Sequence, residues 1–543
     1  MTQLREQEFM SPEFGDLSNS DFLDDKPHDE CGVFGIKMHE GVEGVDAANI
    51  TYRALQVLNH RGHDGAGISA IIDDSIQVVK DLGRVERAFR NGRSLESFLG
   101  SLSVMGHVRY ATLDHTKYDL MDMPEDEIKK IKQDRRRRSL APSYYYSKDE
   151  TRSFAMGTNG QVNNSRSIMA ELGIGDETIF TDTDSMRAII GHKYQEGLSL
   201  PESMHWALSQ FDGSFAMVAH DKDLMVAVRD SRGIKPLHMG HHPAGGYAFA
   251  SEIGAFKRNG IDAIREVRPG EMVIVNGDGR YTSETLEGTE GVKTALCIFE
   301  IVYLSDPDTE MGGRSVHSAR HRMGVELCRQ SGFTPGEIDY VVPVPETSRH
   351  AAEGFAAEMN RQIFESINPE DMHAGLLTAL VSAIKKNRHS DRSFIEPSQE
   401  DRQEKIRGKF SLLAEAIKGK RLLVVEDSIV RGNTSKYLIK MLWEAGAQEI
   451  HFVSASPPIK YTCDKGVDMA TPDELLAAVL KGRNHLETVE KIRRYLNVSS
   501  LHYLELDRLK KSIALEGDPY CTACLDGYCP PSAVAIRNKK PID

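Results

Sequence analysis

A chain of 543 residues is too long for one hydrophobic core, so at least two domains of roughly 200–250 residues each are expected. Apolar residues at 40% and charged residues at 27% exclude collagen-like and wholly disordered classes. With Lys+Arg 67 against Asp+Glu 81, the net charge of −14 argues against nucleic acid or an anionic membrane surface as the main partner. No run approaches the ~18–20 apolar residues that a membrane-spanning helix requires.

In chain order, residues 1–30 hold nine acids and two bases and no apolar run. That is the opposite of a secretory or mitochondrial leader, and it leaves a cytoplasmic address by default. From Cys31 the text changes to short β-branched and glycine-rich runs: CGVFGI, GAGISAIID, SIQVV, LSVMGHVRYAT, SFAMVAH, LMVAVRD and GEMVIV. These read as strands, interrupted by helical stretches around 46–59 and 183–195, so an α+β layered domain is expected. The acidic-then-basic segment within 113–152 reads as a solvated surface insertion. After about residue 292 strands and helices alternate: IDYVVPVP, AAEGFAAEMN, RLLVVEDS, TSKYLIKMLWEAGA, EIHFVSASP. This rhythm predicts an α/β doubly wound parallel sheet, with a domain boundary near 285–295. The seven cysteines are scattered and odd in number, unlike a disulfide scaffold, so reactive or metal-bound thiols are expected.

The segment 421–447 carries the most local chemistry. A buried strand ends in the adjacent acids Glu426 and Asp427, followed by a loop through Arg431, Gly432, Asn433, Thr434 and Ser435 that opens a helix. Vicinal carboxylates suit a pair of sugar hydroxyls or a Mg²⁺ ion chelated to that sugar. Glycine, hydroxyls and a helix N-terminus suit a phosphate. The pattern VVEDSIVRGNTS resembles the phosphoribosyl pyrophosphate (PRPP) signature of type I phosphoribosyltransferases. By that resemblance Glu426 and Asp427 face the ribose, residues 431–435 cradle the 5′-phosphate, and VVPVPETSRHAA at 341–352 serves the pyrophosphate and its magnesium, with Ser348 as the candidate ligand.

In the amino-terminal half, Cys31 alone would be an ordinary buried thiol. Its followers are LNHRGHDGAGI, GHVRYAT, TNGQVNN, TDTDS, FDGSFAMV, RDSRGIKPL, ASEIGAF and RPGEMV, in one order. Together they resemble class II glutamine amidotransferases, and with the second half they resemble the glutamine PRPP amidotransferase family over residues 31–529. The resemblance implies an αββα N-terminal-nucleophile (Ntn) hydrolase domain at 31–290 acting as glutaminase, a doubly wound phosphoribosyltransferase domain at 291–500, and a tail at 501–543. A terminal cysteine supplies its own general base in the α-amine. The resemblance therefore implies that residues 1–30 are a propeptide removed to expose Cys31. It further implies that Asn159 and Gly160 form the oxyanion hole, and that Arg109 and Asp182 hold the carboxylate and amine of glutamine.

Cys521 and Cys524 form a CxxC, open by itself to zinc, redox or iron–sulfur readings. The resemblance implies that Cys297, Cys463, Cys521 and Cys524 ligate a [4Fe–4S] cluster, with Cys529 close to the pair and Cys328 a buried hydrophobe. It also aligns residues 385–411 with a mobile loop closing over PRPP, in which Lys386, Asn387, Arg388, Arg392, Phe394, Ile395 and Arg402 fit and His389-Ser390-Asp391 replaces the usual Tyr-Val-Gly. Thr158 stands where the family has histidine, and the charged insertion replaces an Asn-Ala-Gln-Pro-Phe stretch. The expected activity is glutamine-dependent formation of 5-phosphoribosylamine from PRPP, opening purine synthesis, by a homodimer or homotetramer subject to purine nucleotides. The rival readings are a paralogue with another acceptor or altered coupling, and a non-catalytic PRPP or nucleotide sensor.

Overall fold

The computed structural model describes residues 28–29, 31–110, 142–147, 152–175, 179, 181–289, 291–334, 336–366, 377–387, 410–469, 471–517, 519–529 and 531. Two antiparallel sheets stack in the first half. The seven-stranded sheet runs Asp262–Glu266, His238–His241, Gly246–Ala250, Cys31–Met38, Ser103–Arg109, Gly65–Ile72 and Ser75–Leu82. The six-stranded sheet runs Tyr281–Thr285, Glu271–Asn276, Leu224–Arg229, Gly213–His220, Ser153–Val162 and Ser143–Tyr146.

Period-2 alternation assigns the faces. Val33 and Met105 join Val218 and Met225 in the core between the sheets, while their neighbours Phe34 and Val104 pack outward on Ala54 and Leu55 of the helix Ala47–Val57. Helices Ser165–Glu171, Asp182–Gln195 and Leu200–Leu208 cover the outer face of the second sheet through Ile168, Met186, Ile189 and Met204. The order of layers is αββα, as the resemblance implies. The sheets approach closely where side chains vanish: a Cβ on Gly35 would stand 2.6 Å from Val218.

The second half holds a parallel five-stranded sheet ordered Ala379–Leu380, Tyr340–Pro343, Arg421–Glu426, Glu449–Ser454, Ser500–Tyr503. Its strands are buried on both faces, which is why they read as continuous apolar runs. Leu423 and Val425 face helices Val316–Ser331 and Arg349–Ser366; Leu422 and Val424 face Asn433–Glu444 and His485–Leu496.

The halves are tied at the level of charge. Arg61, fully buried, pairs through Nε with Glu252 and through Nη2 with Glu300 at 2.6 Å. His60 adds a 2.9 Å contact to Glu252. A buried guanidinium is tolerated because two carboxylates meet it, and removing either partner would leave an uncompensated charge costing about 3–5 kcal/mol. Among the described residues no helix is long and apolar enough to cross a membrane.

Candidate active sites and the cysteine centre

Register places the first site. Cys31 opens its strand directly opposite Arg109, the last residue of Ser103–Arg109, and Gly65 flanks Arg109 on the other side. Arg109 Nη1 lies 3.9 Å from the Cys31 sulfur and 3.5 Å from Thr183 Oγ1. Its Nε is buried with no hydrogen-bond partner among the described residues. Asp182 begins the helix Asp182–Gln195, whose N-cap Thr181 accepts from the Asp184 amide. Burial raises the Asp182 pKa, and the Arg109 guanidinium works in the opposite direction, which places the two side chains in one electrostatic field. The structure thus brings together Cys31, Arg109 and Asp182, drawn from three separate motifs.

Asn159 and Gly160 lie on Ser153–Val162, paired with Ala216 and Phe215. Gly160 has φ +145°, and a Cβ there would meet Ser214 O at 2.0 Å, so only glycine fits. Three residues earlier on the same strand, Gly157 faces His107, which stands two residues before Arg109. Asn159 is fully buried.

The next contact was invisible in the sequence. The segment Cys463–Met469 of the second half reaches back to this strand. Gly466 stands against Gly160, its amide donates to Gln161 Oε1 at 3.2 Å, and its carbonyl accepts from Lys235 Nζ at 2.6 Å. Lys465 O accepts from Ser214 Oγ at 2.7 Å. Immediately beyond, Val467–Asp468 pairs antiparallel with His28–Asp29, the residues just ahead of Cys31. The remainder of residues 1–30 lies outside the described residues.

Five thiols, Cys297, Cys463, Cys521, Cys524 and Cys529, act on one another, and Lys235 lies in the field of Cys297 and Cys463. Leu296–Cys297 pairs in parallel with Tyr520–Cys521, and the Cys521 thiol donates to Cys529 Sγ at 3.3 Å. Burial pushes Cys297 up to about 12, with Cys463 adding to the rise and Lys235 opposing it. Burial likewise raises Cys463 and Cys524, and Cys297 and Cys463 both act on Cys524. The hydrogen bond between them raises Cys521 and lowers Cys529. A tetrahedral zinc–thiolate site at Zn–S of about 2.3 Å needs sulfurs within about 3.8 Å of one another. Among the described residues, no three of these sulfurs fall within 4.8 Å of one another. The donor set, three buried thiols, the half-buried Cys463 and a buried ammonium, therefore suits a larger thiolate-held centre better than a single zinc ion. Cys328 is buried in the helix Val316–Ser331, away from this group, as an apolar residue would be.

At the second site the structure joins the two predicted segments. Ser348 Oγ, fully buried, donates to Glu426 Oε1 at 3.2 Å and accepts from the Asp427 amide at 3.2 Å. Ser428 Oγ donates to Asp427 Oδ1 at 2.8 Å. Gly432 takes φ +80° as the N-cap of Asn433–Glu444, so the loop turns sharply into the helix and leaves Thr434 and Ser435 in its first turn. Arg431 is nearly buried and its Nε donates to Glu474 Oε2 at 3.2 Å. Arg320, missed by sequence reading, is buried and held by the carbonyls of Ile301 and Ser305; burial lowers its pKa to about 10 and Asp427 opposes the drop. Its signal in the sequence, an arginine inside an amphipathic helix, is too common to single out.

Lys386 and Asn387 lie exposed at the end of the ribbon Ile384–Lys386 with Phe410–Leu412. Arg388, His389, Ser390, Asp391, Arg392, Phe394, Ile395 and Arg402 lie outside the described residues, as do most of the 113–152 segment and the tail beyond 531.

A model of the glutamine amidotransferase domain matches residues 144–258. The amidophosphoribosyltransferase of Mycobacterium tuberculosis is 33% identical over 93% of this chain and 87% of its own length. That of Bacillus subtilis is 33% identical over 93% of this chain and 94% of its own. A solved structure of glutamine PRPP amidotransferase from B. subtilis, complexed with ADP and GMP, superposes with TM-score 0.75 at 32% identity, covering 93% of this chain and 98% of that one.

Proposed function

Because the chain belongs to the amidophosphoribosyltransferase family, glutamine-dependent enzymes that make 5-phosphoribosylamine, pyrophosphate and glutamate from PRPP, glutamine and water as purine synthesis begins, we propose that Cys31 is the nucleophile of its glutaminase half and that Glu426, Asp427 and residues 431–435 bind PRPP. Removal of residues 1–30 frees the α-amine of Cys31 as general base. The thiolate adds to the side-chain amide carbon of glutamine, and the oxyanion accepts from the Asn159 side chain and the Gly160 amide. Collapse expels ammonia and leaves a γ-glutamyl thioester, which water hydrolyses to glutamate. Arg109 and Asp182 fix the opposite ends of the amino-acid zwitterion. Ammonia then takes C1 of PRPP as pyrophosphate leaves.

Two groups suit the residues present. Glu426, Asp427 and Ser348 are hard oxygen donors that would hold Mg²⁺, which supplies charge neutralisation for the pyrophosphate. Cys297, Cys463, Cys521 and Cys524 would hold a [4Fe–4S] cluster, with Lys235 offsetting its negative charge and Cys529 beside Cys521. Purine nucleotides as regulators, a homodimer or homotetramer, and a cytoplasmic address complete the reading.

The observation that carries it is the pairing of Cys31 with Arg109, which sets a thiol and a carboxylate-binding guanidinium 3.9 Å apart. The test compares phosphoribosylamine formation from glutamine and from ammonium salts. Cys31→Ala is expected to lose glutamine-dependent turnover by at least about 10³-fold while keeping ammonia-dependent turnover within about twofold. Wild-type protein that forms no phosphoribosylamine from either nitrogen source, or a Cys31→Ala chain that still uses glutamine, overturns it.

A further inference from the structure

Away from both sites, helices Val316–Ser331 and Arg349–Ser366 cross at a glycine pair. A Cβ on Gly324 would meet Ala351 O at 1.8 Å, and one on Gly354 would meet His321 O at 1.9 Å. The two backbones are therefore in contact, and neither helix can shift along the other without breaking that fit. Close to this crossing, His317 from the first helix meets His350 and Glu353 from the second. The two imidazole rings stand 4.6 Å apart, and His350 Nδ1 lies 3.4 Å from Glu353 Oε2. One ligand atom from each of the three residues falls within 4.8 Å of the other two.

We propose that His317, His350 and Glu353 form a site for a borderline transition-metal dication, zinc foremost. His350 and Glu353 are spaced i, i+3 and so share a helix face, while the glycine crossing fixes the distance to His317. Two imidazoles and one carboxylate are the donor set of an open tetrahedral zinc site, with water in the fourth position. The mixed nitrogen set disfavours Mg²⁺, which prefers oxygen alone. Closing from the present spacing to metal–ligand bonds of about 2.0–2.2 Å needs only side-chain rotation. Two cations stand near the site, Arg349 at the Glu353 carboxylate and Arg320 in the field of His350. Arg349 Nε lies 3.7 Å from Glu353 Oε1 and is exposed enough to swing away, whereas Arg320 is anchored on the Ile301 and Ser305 carbonyls and sits in the opposing field of Asp427. The site would pin His350 two residues after Ser348, so its occupancy falls within the segment 341–352 that the resemblance gives to the pyrophosphate.

The test is calorimetric titration of the full, cluster-loaded chain with Zn²⁺ in millimolar Mg²⁺, alongside His317→Ala, His350→Ala and the double variant, which reports any zinc taken by cysteines. The expected result is one site per chain that weakens in each single variant by more than the roughly 10–100-fold typical of losing an outer-shell partner, and that vanishes in the double variant. Co²⁺ should give weak visible bands without thiolate charge transfer, lost with the same substitutions. Metal-free melting curves are checked for each protein, and His350→Gln replaces His350→Ala should the latter not fold. Equal isotherms for wild type and double variant, or no wild-type binding below millimolar Zn²⁺, overturns the proposal.

Discussion

The two candidate active sites are built in opposite ways. The candidate PRPP site is nearly contiguous: Glu426 to Ser435 form one strand end, one turn and one helix start, with Ser348 and Arg320 added from two other elements. The proposed glutaminase site assembles Cys31, Arg109, Asn159 and Asp182 from four elements, and the wall behind Gly160 is supplied by Gly466 of the other half. A contiguous site depends on its own turn chemistry. A dispersed one depends on sheet register and on whatever presses on it, so distant changes should disturb the first half's chemistry more than the second's.

The sharpest way to test that contrast is at the proposed oxyanion hole. Asn159→Ala should cut glutamine-dependent turnover by about 10²–10³-fold, the usual cost of losing one oxyanion donor, with ammonia-dependent turnover preserved. Equal loss with both nitrogen sources would mean the two sites are not separable. The second test works from across the domain boundary. Gly466 takes φ +78°, and a Cβ there would stand 3.0 Å from the Gly160 backbone. Gly466→Ala should therefore reduce glutamine use about tenfold, through backbone strain of roughly 1–2 kcal/mol, and leave ammonia use within about twofold. An unaffected kcat/KM for glutamine would break the comparison.

The smallest effect concerns acid. His107, His220 and His238 all lie in the first half, and burial holds their pKa values at about 3, about 3 and about 4 against an ordinary 6.5. For His220 the neutral ring is kept by Ser69 and Ser103, at 2.8 and 3.0 Å. A depressed folded pKa means that stability is fully present above pH 6.5 and is lost as pH falls toward the folded value, at about 1.4 kcal/mol per pH unit for each ring. Between pH 6.5 and 5, glutamine-dependent activity after brief incubation should fall before ammonia-dependent activity does, and His220→Asn should flatten the pH slope of the melting temperature. A slope unchanged by that substitution would remove His220 from the account.

Sequence alone went far where function is local. The loop Glu426–Ser435 could be read because a strand end, vicinal acids, a glycine and two hydroxyls must be adjacent in the chain to meet one sugar phosphate. The strands from Cys31 onward and the helices near 47–57 and 182–195 were legible for the same reason, since periodicity is a nearest-neighbour property. Cys31, Asn159 and Asp182 could be named only by the order of their motifs, because no local rule distinguishes a catalytic thiol from a buried one. What the tertiary structure alone decided is everything carried by long-range packing: Arg61 held between Glu252 and Glu300, Gly466 seated on Gly160, Lys235 among the thiols, and His317 brought to His350 by two glycines. Such contacts join residues tens to hundreds of positions apart, and burial makes each of them decisive: a charge or a Cβ that water would forgive has no alternative place to go inside a packed core.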